Sequence, residues 1–283
     1  VKNNTAGFRT LFHRARTLTP AAIFCCEATG GYERAFMAAA MAEGVSLVLV
    51  NPKRVRDYAK SKGLLAKTDK LDAAIIAEFA RQHRLQPMSA PPAWKADFQG
   101  LIQRREALVA MRSAETNRLD PMPLPTLKKS IRRTVRFLDR EIERIEAQIE
   151  EVTNQHPQLQ EAIERLEQVK SIGPVTARTL LAVIPELGTL SDKKVTALAG
   201  LAPFNADSGT FKGYRRIQGG RAQARRVLYM AALVAIRFNP ILREVYLRLK
   251  QNGKPSKVAL TAVMRKLLIL CNRILANPEF CPA

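Results

Sequence analysis

Two apolar runs of strand length near the N-terminus constrain the fold of this chain more than any other feature. Residues 21–27 read Ala-Ala-Ile-Phe-Cys-Cys-Glu, and residues 45–50 read Val-Ser-Leu-Val-Leu-Val. Gly30-Gly31 ends the first run, and residues 32–42 between the runs have helical periodicity. A strand, a helix and a second strand form a β-α-β unit with parallel strands. We therefore expect an α/β sheet domain at this end of the chain.

Helices and a linker follow the second run. Asn51-Pro52 predicts the start of a short helix that ends near Ser61. Thr68 or Asp69 caps a longer helix that ends near His83. Three prolines then predict a linker, at positions 87, 91 and 92.

Two long charged segments, 93–119 and 127–152, come after the linker. Apolar residues recur in them at helical spacing, for example Phe137, Ile142, Ile145 and Ile149. The pattern predicts an antiparallel helical hairpin or coiled coil. Nothing in these segments converges chemically, so we interpret them as a spacer or oligomerisation arm.

A mostly helical C-terminal region completes the chain, with a Gly-rich segment between Leu201 and Gly220. We expect three parts: an N-terminal domain over 1–90, a coiled-coil arm over 91–157 and a C-terminal domain over 158–283. In the last part, helical patterns cover approximately 159–168, 174–184, 191–199, 220–237, 240–251 and 255–275.

The charge of the chain predicts a polyanionic partner. Lys and Arg number 46 against 25 Asp and Glu, a net charge of +21 among 283 residues. From Ser208 onward there are 15 Lys or Arg and two acids, so nucleic acid is the leading partner and its contact is expected there.

The apolar pattern and the cysteines indicate the cellular location that we expect for the protein. No apolar run approaches the ~20 residues of a membrane helix, and the N-terminus lacks the apolar core of a signal peptide. Four cysteines without a C-x-x-C spacing are typical of reduced thiols. We expect a cytoplasmic, nucleoid-associated protein with no membrane contact.

Three carboxylates form the first candidate site. Asp69 and Asp72 stand three residues apart on a predicted helix, so their side chains share one face. Glu27 ends an apolar strand beside the Gly-Gly turn. Together they would form an all-oxygen site suited to Mg²⁺ and phosphate oxygens. For the Asp pair alone, the local pattern favours the other interpretation, in which the two acids offset the helix dipole.

A short turn between two helices forms the second candidate. In the stretch Gln168–Ala177, a Gly-Pro turn precedes a helix whose first turn holds Thr176. Such a helix-hairpin-helix element can bind a phosphate through backbone amides. The alternative is an ordinary tight turn capped by Gly173.

A serine next to a basic segment forms the third candidate. Ser208 precedes Gly209, and six cations follow between Lys212 and Arg226. A hydroxyl facing phosphates whose charge is already screened could attack a phosphodiester. The alternative for Ser208-Gly209 is a simple turn.

The ordered set of motifs resembles the insertion sequence 110 family, also called DEDD transposases. Each motif is short, but together they occur in the family's order over nearly the whole chain. The matching stretches are Glu27-Ala-Thr-Gly-Gly-Tyr32, Asn51-Pro52, Lys67-Thr-Asp-Lys-Leu-Asp-Ala73, Ser171-Ile-Gly-Pro-Val-Thr-Ala177, Pro185-Glu-Leu-Gly188, Ala197-Leu-Ala-Gly-Leu-Ala-Pro203, Ser208-Gly209, Gly219-Gly-Arg221 and Met264-Arg-Lys266.

The resemblance implies a RuvC-like, RNase H-type N-terminal domain, a coiled-coil arm and a C-terminal transposase domain with a nucleophilic serine. Glu27, Asp69 and Asp72 match the last three acids of a Mg²⁺-binding tetrad, and Ser208 matches the serine. The implied activity is site-specific DNA recombination through a phosphoserine intermediate. The implied partners are the DNA of the element ends and target, a guide RNA from the element, and further copies of the chain in a dimer or tetramer. The residues we assign to nucleic-acid binding are Lys67, Gly173, Thr176, Lys212, Arg215, Arg216, Arg221, Arg225 and Arg226.

The resemblance departs from the family at the start of the chain. The family's first Asp has no counterpart, since Glu27 is the first acid. We expect a truncated or decayed transposase that lacks the opening strands and has little strand-exchange activity. Two alternatives remain open: a catalytically dead DNA- or RNA-binding remnant, and a RuvC-type metal-dependent junction nuclease.

Overall fold

In the computed structural model, the chain forms two units, Val1–Pro91 and Pro92–Ala283. The residues described are 2–28, 30–64, 68–87, 92–204, 213 and 215–280; for Asp69, Lys70 and Ala93 the description covers the backbone alone. Over these ranges the chain is mostly helical, with two small two-stranded sheets. In the same ranges, no helix combines the length and the apolar character needed to span a bilayer.

The first unit begins with a helix that the sequence analysis did not predict, α1 (Thr5–Leu18). The Asn4 side chain caps it by accepting a hydrogen bond from a backbone amide of the first turn. Phe8 and Phe12, one turn apart, are its buried residues, and their rings meet Phe36 and Phe24 edge to face. An Asn cap before two aromatics spaced i, i+4 is the signal that could have revealed this helix.

The predicted β-α-β unit is confirmed. Strand β1 (Phe24–Glu27), helix α2 (Arg34–Ala42) and strand β2 (Leu47–Val50) follow in order, and β1 pairs with β2 in parallel. The register places Glu27 opposite Val50. Strand β1 is shorter than the apolar run 21–27 that predicted it, because pairing to β2 begins only at Phe24.

Two further helices complete the first unit, α3 (Pro52–Ser61) and α4 (Asp69–Gln82). Their predicted caps are confirmed: the side chains of Asn51 and Thr68 accept hydrogen bonds from amides of the first turn. Helix α4 packs on both strands. The core formed by these elements contains Val48, Val50, Val55, Ala59, Ile75 and Phe79.

The second unit begins with a helical hairpin, α5 (Ala93–Thr116) and α6 (Pro125–Gln155). Arg105 pairs with Glu146 at 2.6 Å and Arg112 with Asp139 at 3.2 Å, so residue numbers rise on one helix as they fall on the other. The helices are therefore antiparallel, as predicted. The prediction that Phe137 belongs to the apolar face was wrong: its side chain is 51% exposed, because the helix turns Leu138 inward instead.

In the part of the chain described after the hairpin, six helices lie close to the predicted ranges. They form one apolar core, which the base of the hairpin joins through Phe98, Ile102 and Ile149. The division at residues 157 and 158 stays a prediction. The helices are α7 (Pro157–Glu167), α8 (Pro174–Val183), α9 (Asp192–Leu198), α10 (Ala222–Phe238), α11 (Pro240–Gln251) and α12 (Ser256–Ala276).

A short antiparallel pair of strands lies between α9 and α10 in sequence. Strand β3 (Pro203–Phe204) pairs with β4 (Arg216–Ile217). The sequence analysis predicted only a Gly-rich segment here, because strands of two residues carry no recognisable alternation. Ser208 lies between the two strands in sequence and outside the described residues.

Candidate active site and nucleic-acid surface

A cavity of about 800 Å³ in the first unit brings two of the predicted site residues together. Glu27, the last residue of β1, and Asp72, in the first turn of α4, both line it. The packing of α4 on β1 produces this arrangement. Of Asp69, the structure gives its place as the first residue of α4.

Local backbone geometry positions both carboxylates. Beyond Glu27, the amide of Ala28 donates to the carbonyl of Val50 at 3.0 Å, which holds the strand end in place. The chain then turns through Gly30, whose φ of +77° favours glycine. On the other side, the amide of Asp72 donates to the Thr68 carbonyl at 2.8 Å, within the capped first turn of α4.

A third carboxylate, missed by the sequence analysis, also lines the cavity. Glu33 accepts a hydrogen bond from the backbone amide of Gly31 at 2.9 Å. An acid two residues after Gly31 of the Gly-Gly turn is the available signal, but its hydrogen bond to the Gly31 amide depends on the conformation of that turn. Glu33 also contributes negative potential at the cavity wall.

The two cysteines of β1 line the same cavity and remain protonated thiols near neutral pH. Burial, together with the negative charges of Glu33 and of Cys25 when ionised, raises the pKa of Cys26 to about 11. Burial also raises the pKa of Cys25. Since thiolates are the form that binds soft metals, the cavity offers mainly oxygen donors.

The donor type of the cavity fits a hard divalent cation. Carboxylate oxygens are the ligands that Mg²⁺ takes in proteins, and Glu27 and Asp72 supply them from two separate elements. Among the side chains that the structure describes, no group of three or more His, Cys, Asp or Glu is placed to hold a metal ion.

The predicted phosphate-binding turn lies between α7 and α8, which pack against each other. Gly173 precedes the first residue of α8 with extended backbone and is exposed, and Thr176 is half-buried in the first turn. The residue with positive φ is Ser171, at +98°, rather than the glycine. The geometry is a tight turn between two helices, and phosphate binding there stays a prediction.

The basic residues near the serine segment fall into two groups. Arg215 and Arg216 are exposed, the second on β4. Arg226 is also exposed, with Glu106 at 3.5 Å. Lys67 and Lys212, like Ser208, lie outside the described residues.

The other two arginines of this set have partners within the chain. Arg221 donates to both carboxylate oxygens of Glu186, at 2.6 and 2.7 Å, and to the carbonyl of Val183 at 2.8 Å. Arg225 donates to the carbonyl of Ala199 at 3.1 Å. Their roles as nucleic-acid contacts stay predictions. Glu186 is a structural partner that the sequence analysis did not recognise.

Two glycine motifs touch each other through their backbones. A Cβ on Gly200 would lie 2.2 Å from the carbonyl oxygen of Gly219, and a Cβ on Gly220 would lie 2.2 Å from the amide nitrogen of Gly200. We call this contact the glycine clasp. It joins the chain directly before β3 to the chain directly after β4.

Comparison with known proteins identifies two family matches. Residues 1–122 match the model of the DEDD transposases of IS110, described as transposase. Residues 163–247 match the model of the transposase IS116/IS110/IS902 family. The two ranges contain all the motifs quoted above except Met264–Lys266.

Individual proteins agree with the family matches. The chain is 29% identical over 281 residues to the pilin gene-inverting protein of Moraxella lacunata, covering 95% of this chain and 85% of that protein. The protein of the same name in Moraxella bovis is 29% identical over 283 residues, with the same coverage. An insertion element IS110 protein of 43.6 kDa from Streptomyces coelicolor is 28% identical over 139 residues, covering 48% of this chain and 33% of that protein. On these matches, the chain belongs to the IS110 family of transposases.

Proposed function

We propose that this protein is a DNA transposase or site-specific recombinase that uses a carboxylate-bound Mg²⁺ and a serine nucleophile. The observation that carries the proposal is the shared cavity of Glu27 and Asp72, which are 45 positions apart in the sequence. The family supports DNA as the substrate. A RuvC-like fold for the first unit, a guide RNA and an even-numbered homo-oligomer belong to the same proposal.

Glu27, Asp69 and Asp72 would hold the Mg²⁺. When bound, the cation supplies positive charge that stabilises the reacting phosphate.

Ser208 is the proposed nucleophile. Its Oγ forms an ester bond to a DNA phosphorus while the bond from that phosphorus to a deoxyribose oxygen breaks, which leaves a phosphoserine link and a free sugar hydroxyl. The serine loses its proton in this step, and the sugar oxygen gains one. The exposed Arg215 and Arg216 would bind neighbouring phosphates and position the DNA.

Trapping of covalent protein–DNA adducts tests both the serine nucleophile and the carboxylate site. The wild-type protein is incubated with DNA of the element ends and Mg²⁺, then analysed on a denaturing gel. Any adduct that the wild type forms, even at low yield, should be absent from Ser208→Ala and Asp72→Asn, and should keep its yield in the control Ser130→Ala on α6.

The other outcomes separate the alternatives. Mg²⁺-dependent cutting that survives in Ser208→Ala without any adduct would indicate a metal-dependent junction nuclease. DNA binding by the wild type without cutting or adduct would indicate a catalytically dead remnant.

A further inference from the structure

Two parts of the second unit are rich in Lys and Arg: the segment from Ser208 onward and the first half of α6. Residues 128–140 contain six Lys or Arg and one acid, Asp139, which pairs with Arg112. Residues 141–155 contain five acids and one Arg. We call the six cations of the first half the basic stripe: Lys128, Lys129, Arg132, Arg133, Arg136 and Arg140.

The basic stripe faces solvent without acidic partners. Five of its six side chains are exposed and Lys128 is half-buried. Among the described residues none of the six forms an ion pair; Arg136 donates a hydrogen bond only to the carbonyl of Arg132, at 3.4 Å. In the same hairpin, Arg105, Arg112 and Arg144 each have a carboxylate partner.

The spacing of the stripe aligns its charges along one helix face. Lys128, Arg132, Arg136 and Arg140 follow each other at intervals of four, which places like charges next to one another. Twelve residues at about 1.5 Å per residue make a row roughly 18 Å long. Such like-charge neighbours destabilise an isolated helix, so an anion bound along the row would relieve the repulsion.

A second copy of the chain could neutralise this row with the acids on the second half of its own α6. Most of those acids, however, already have partners within the chain. Glu141 pairs with Arg144 at 2.7 Å and Glu146 with Arg105 at 2.6 Å. Glu150 also forms an ion pair, with Arg178. Three of the five acids are therefore already engaged, and the charge of the stripe is complementary to an external polyanion.

We propose that the basic stripe binds the phosphate backbone of duplex DNA without reading its sequence. The inference rests on the proposed function for the identity of the polyanion. A row of about 18 Å, which turns around the helix by about 40° per step, spans roughly five phosphates of one strand, which are about 3.4 Å apart along the duplex axis. The stripe is separate from all the nucleic-acid residues assigned from the sequence, and it gives the helical hairpin a binding role besides that of a spacer.

Salt dependence of binding measures the contact directly. Affinity for a fluorescent duplex of mixed sequence is measured without Mg²⁺ over a series of salt concentrations. The variant Arg132→Ala/Arg136→Ala removes two stripe cations. The control Arg118→Ala/Arg144→Ala removes two exposed arginines of the same hairpin that have carboxylate partners three residues away.

We expect the stripe variant to reduce the slope of log affinity against log salt by about 1.8, since each lost phosphate contact contributes about 0.9. The control should change the slope by less than about half of that. Thermal unfolding followed by the fluorescence of Trp94, the single tryptophan, verifies that both variants fold like the wild type.

Three outcomes would overturn the inference. A wild-type slope in the stripe variant shows that the stripe makes no phosphate contact. Loss of a dimer in sedimentation velocity with unchanged DNA affinity shows that a second copy occupies the stripe. In both cases the proposed function stands, whereas a wild type that fails to bind any duplex contradicts the proposed function as well.

Discussion

In the second unit, the ion pair between Glu186 and Arg221 stabilises the folded structure. Glu186 is half-buried, and burial alone would raise its pKa, but the hydrogen bonds and positive charge of Arg221 outweigh burial and lower the pKa below its ordinary value of 4.5. Since the folded pKa is the lower one, the stabilisation is present above pH 4.5 and is lost as the pH falls through the lowered value.

Glu186→Gln should therefore destabilise the second unit in a pH-dependent way. At neutral pH we expect a loss of about 1–2 kcal/mol in unfolding free energy, because Arg221 loses its charged partner. The difference from wild type should shrink in acid. Urea unfolding followed by Trp94 fluorescence measures it, because Trp94 packs against the core of this unit. Glu141→Gln, whose partner Arg144 is 74% exposed, should cost less than about 0.5 kcal/mol, and an equal cost in both variants would contradict the interpretation.

The glycine clasp allows a matched comparison of two adjacent residues. Gly219 and Gly220 have similar positive φ, +68° and +64°, but a Cβ on Gly219 would meet no atom within 4 Å, whereas one on Gly220 would clash with Gly200. Gly219→Ala should cost about 1–2 kcal/mol from backbone strain alone. Gly220→Ala should cost at least about 2 kcal/mol more, because the two backbones must separate. Equal losses in urea unfolding would show that the clasp does not form.

Local sequence pattern was enough to predict some residues of the site, whereas others depend on contacts between residues far apart in the sequence. Glu27 at a strand end and Asp72 in a capped first turn follow from local pattern, and the structure places both on one cavity. Arg221 and Arg225 were counted as free cations, but their partners lie up to 38 positions away, which a charge count does not reveal. Glu33 was missed because its contact depends on the conformation of the Gly-Gly turn.

At the scale of elements, most helices and the first two strands were predictable, whereas α1 and the two-residue strands were not. Caps and periodicity located α3 and α4 to within one residue at each end. Helix α1 was missed because only two of its residues are buried. Strands β3 and β4 were missed because two residues show no period. Periodicity and caps thus locate most elements of four or more residues, while strands of two residues are decided by their pairing.

The cap of α4 bears on the candidate site because Asp72 lies in the turn that it closes. Thr68 Oγ1 accepts a hydrogen bond from the Leu71 amide at 3.3 Å. Thr68→Ala should destabilise the start of α4 by about 1 kcal/mol, and Thr68→Ser should retain most of the stability. Hydrogen exchange of the first-turn amides measures the effect. Equal protection in the Ala variant and wild type would show that the cap is not needed.

At the scale of the whole molecule, charge and core are divided between the two units. The first 91 residues contain 14 Lys or Arg and seven acids, and residues 92–283 contain 32 and 18. Among the described residues, the main apolar core and one small cluster lie in the second unit, and two small clusters lie in the first. Each unit therefore has its own core, and the larger positive charge belongs to the second.

We expect a fragment of residues 92–283 to fold by itself and to retain duplex binding. Its thermal unfolding should give the same Trp94 fluorescence change as the whole chain, because Trp94 stacks on His156, with the ring centroids 4.4 Å apart, within this unit. The salt slope of DNA binding should stay steep, since both basic regions are present. A fragment that lacks a cooperative transition would contradict the division into two units.

The glycine clasp also makes the intervening stretch exchangeable. Because backbone contacts hold its two ends together at Gly200 and Gly220, we expect the positions of α9 and α10 to tolerate changes in the side chains between β3 and β4. Protein engineers could treat that stretch as a cassette and transplant the corresponding sequence of a relative without redesigning the helices that carry it.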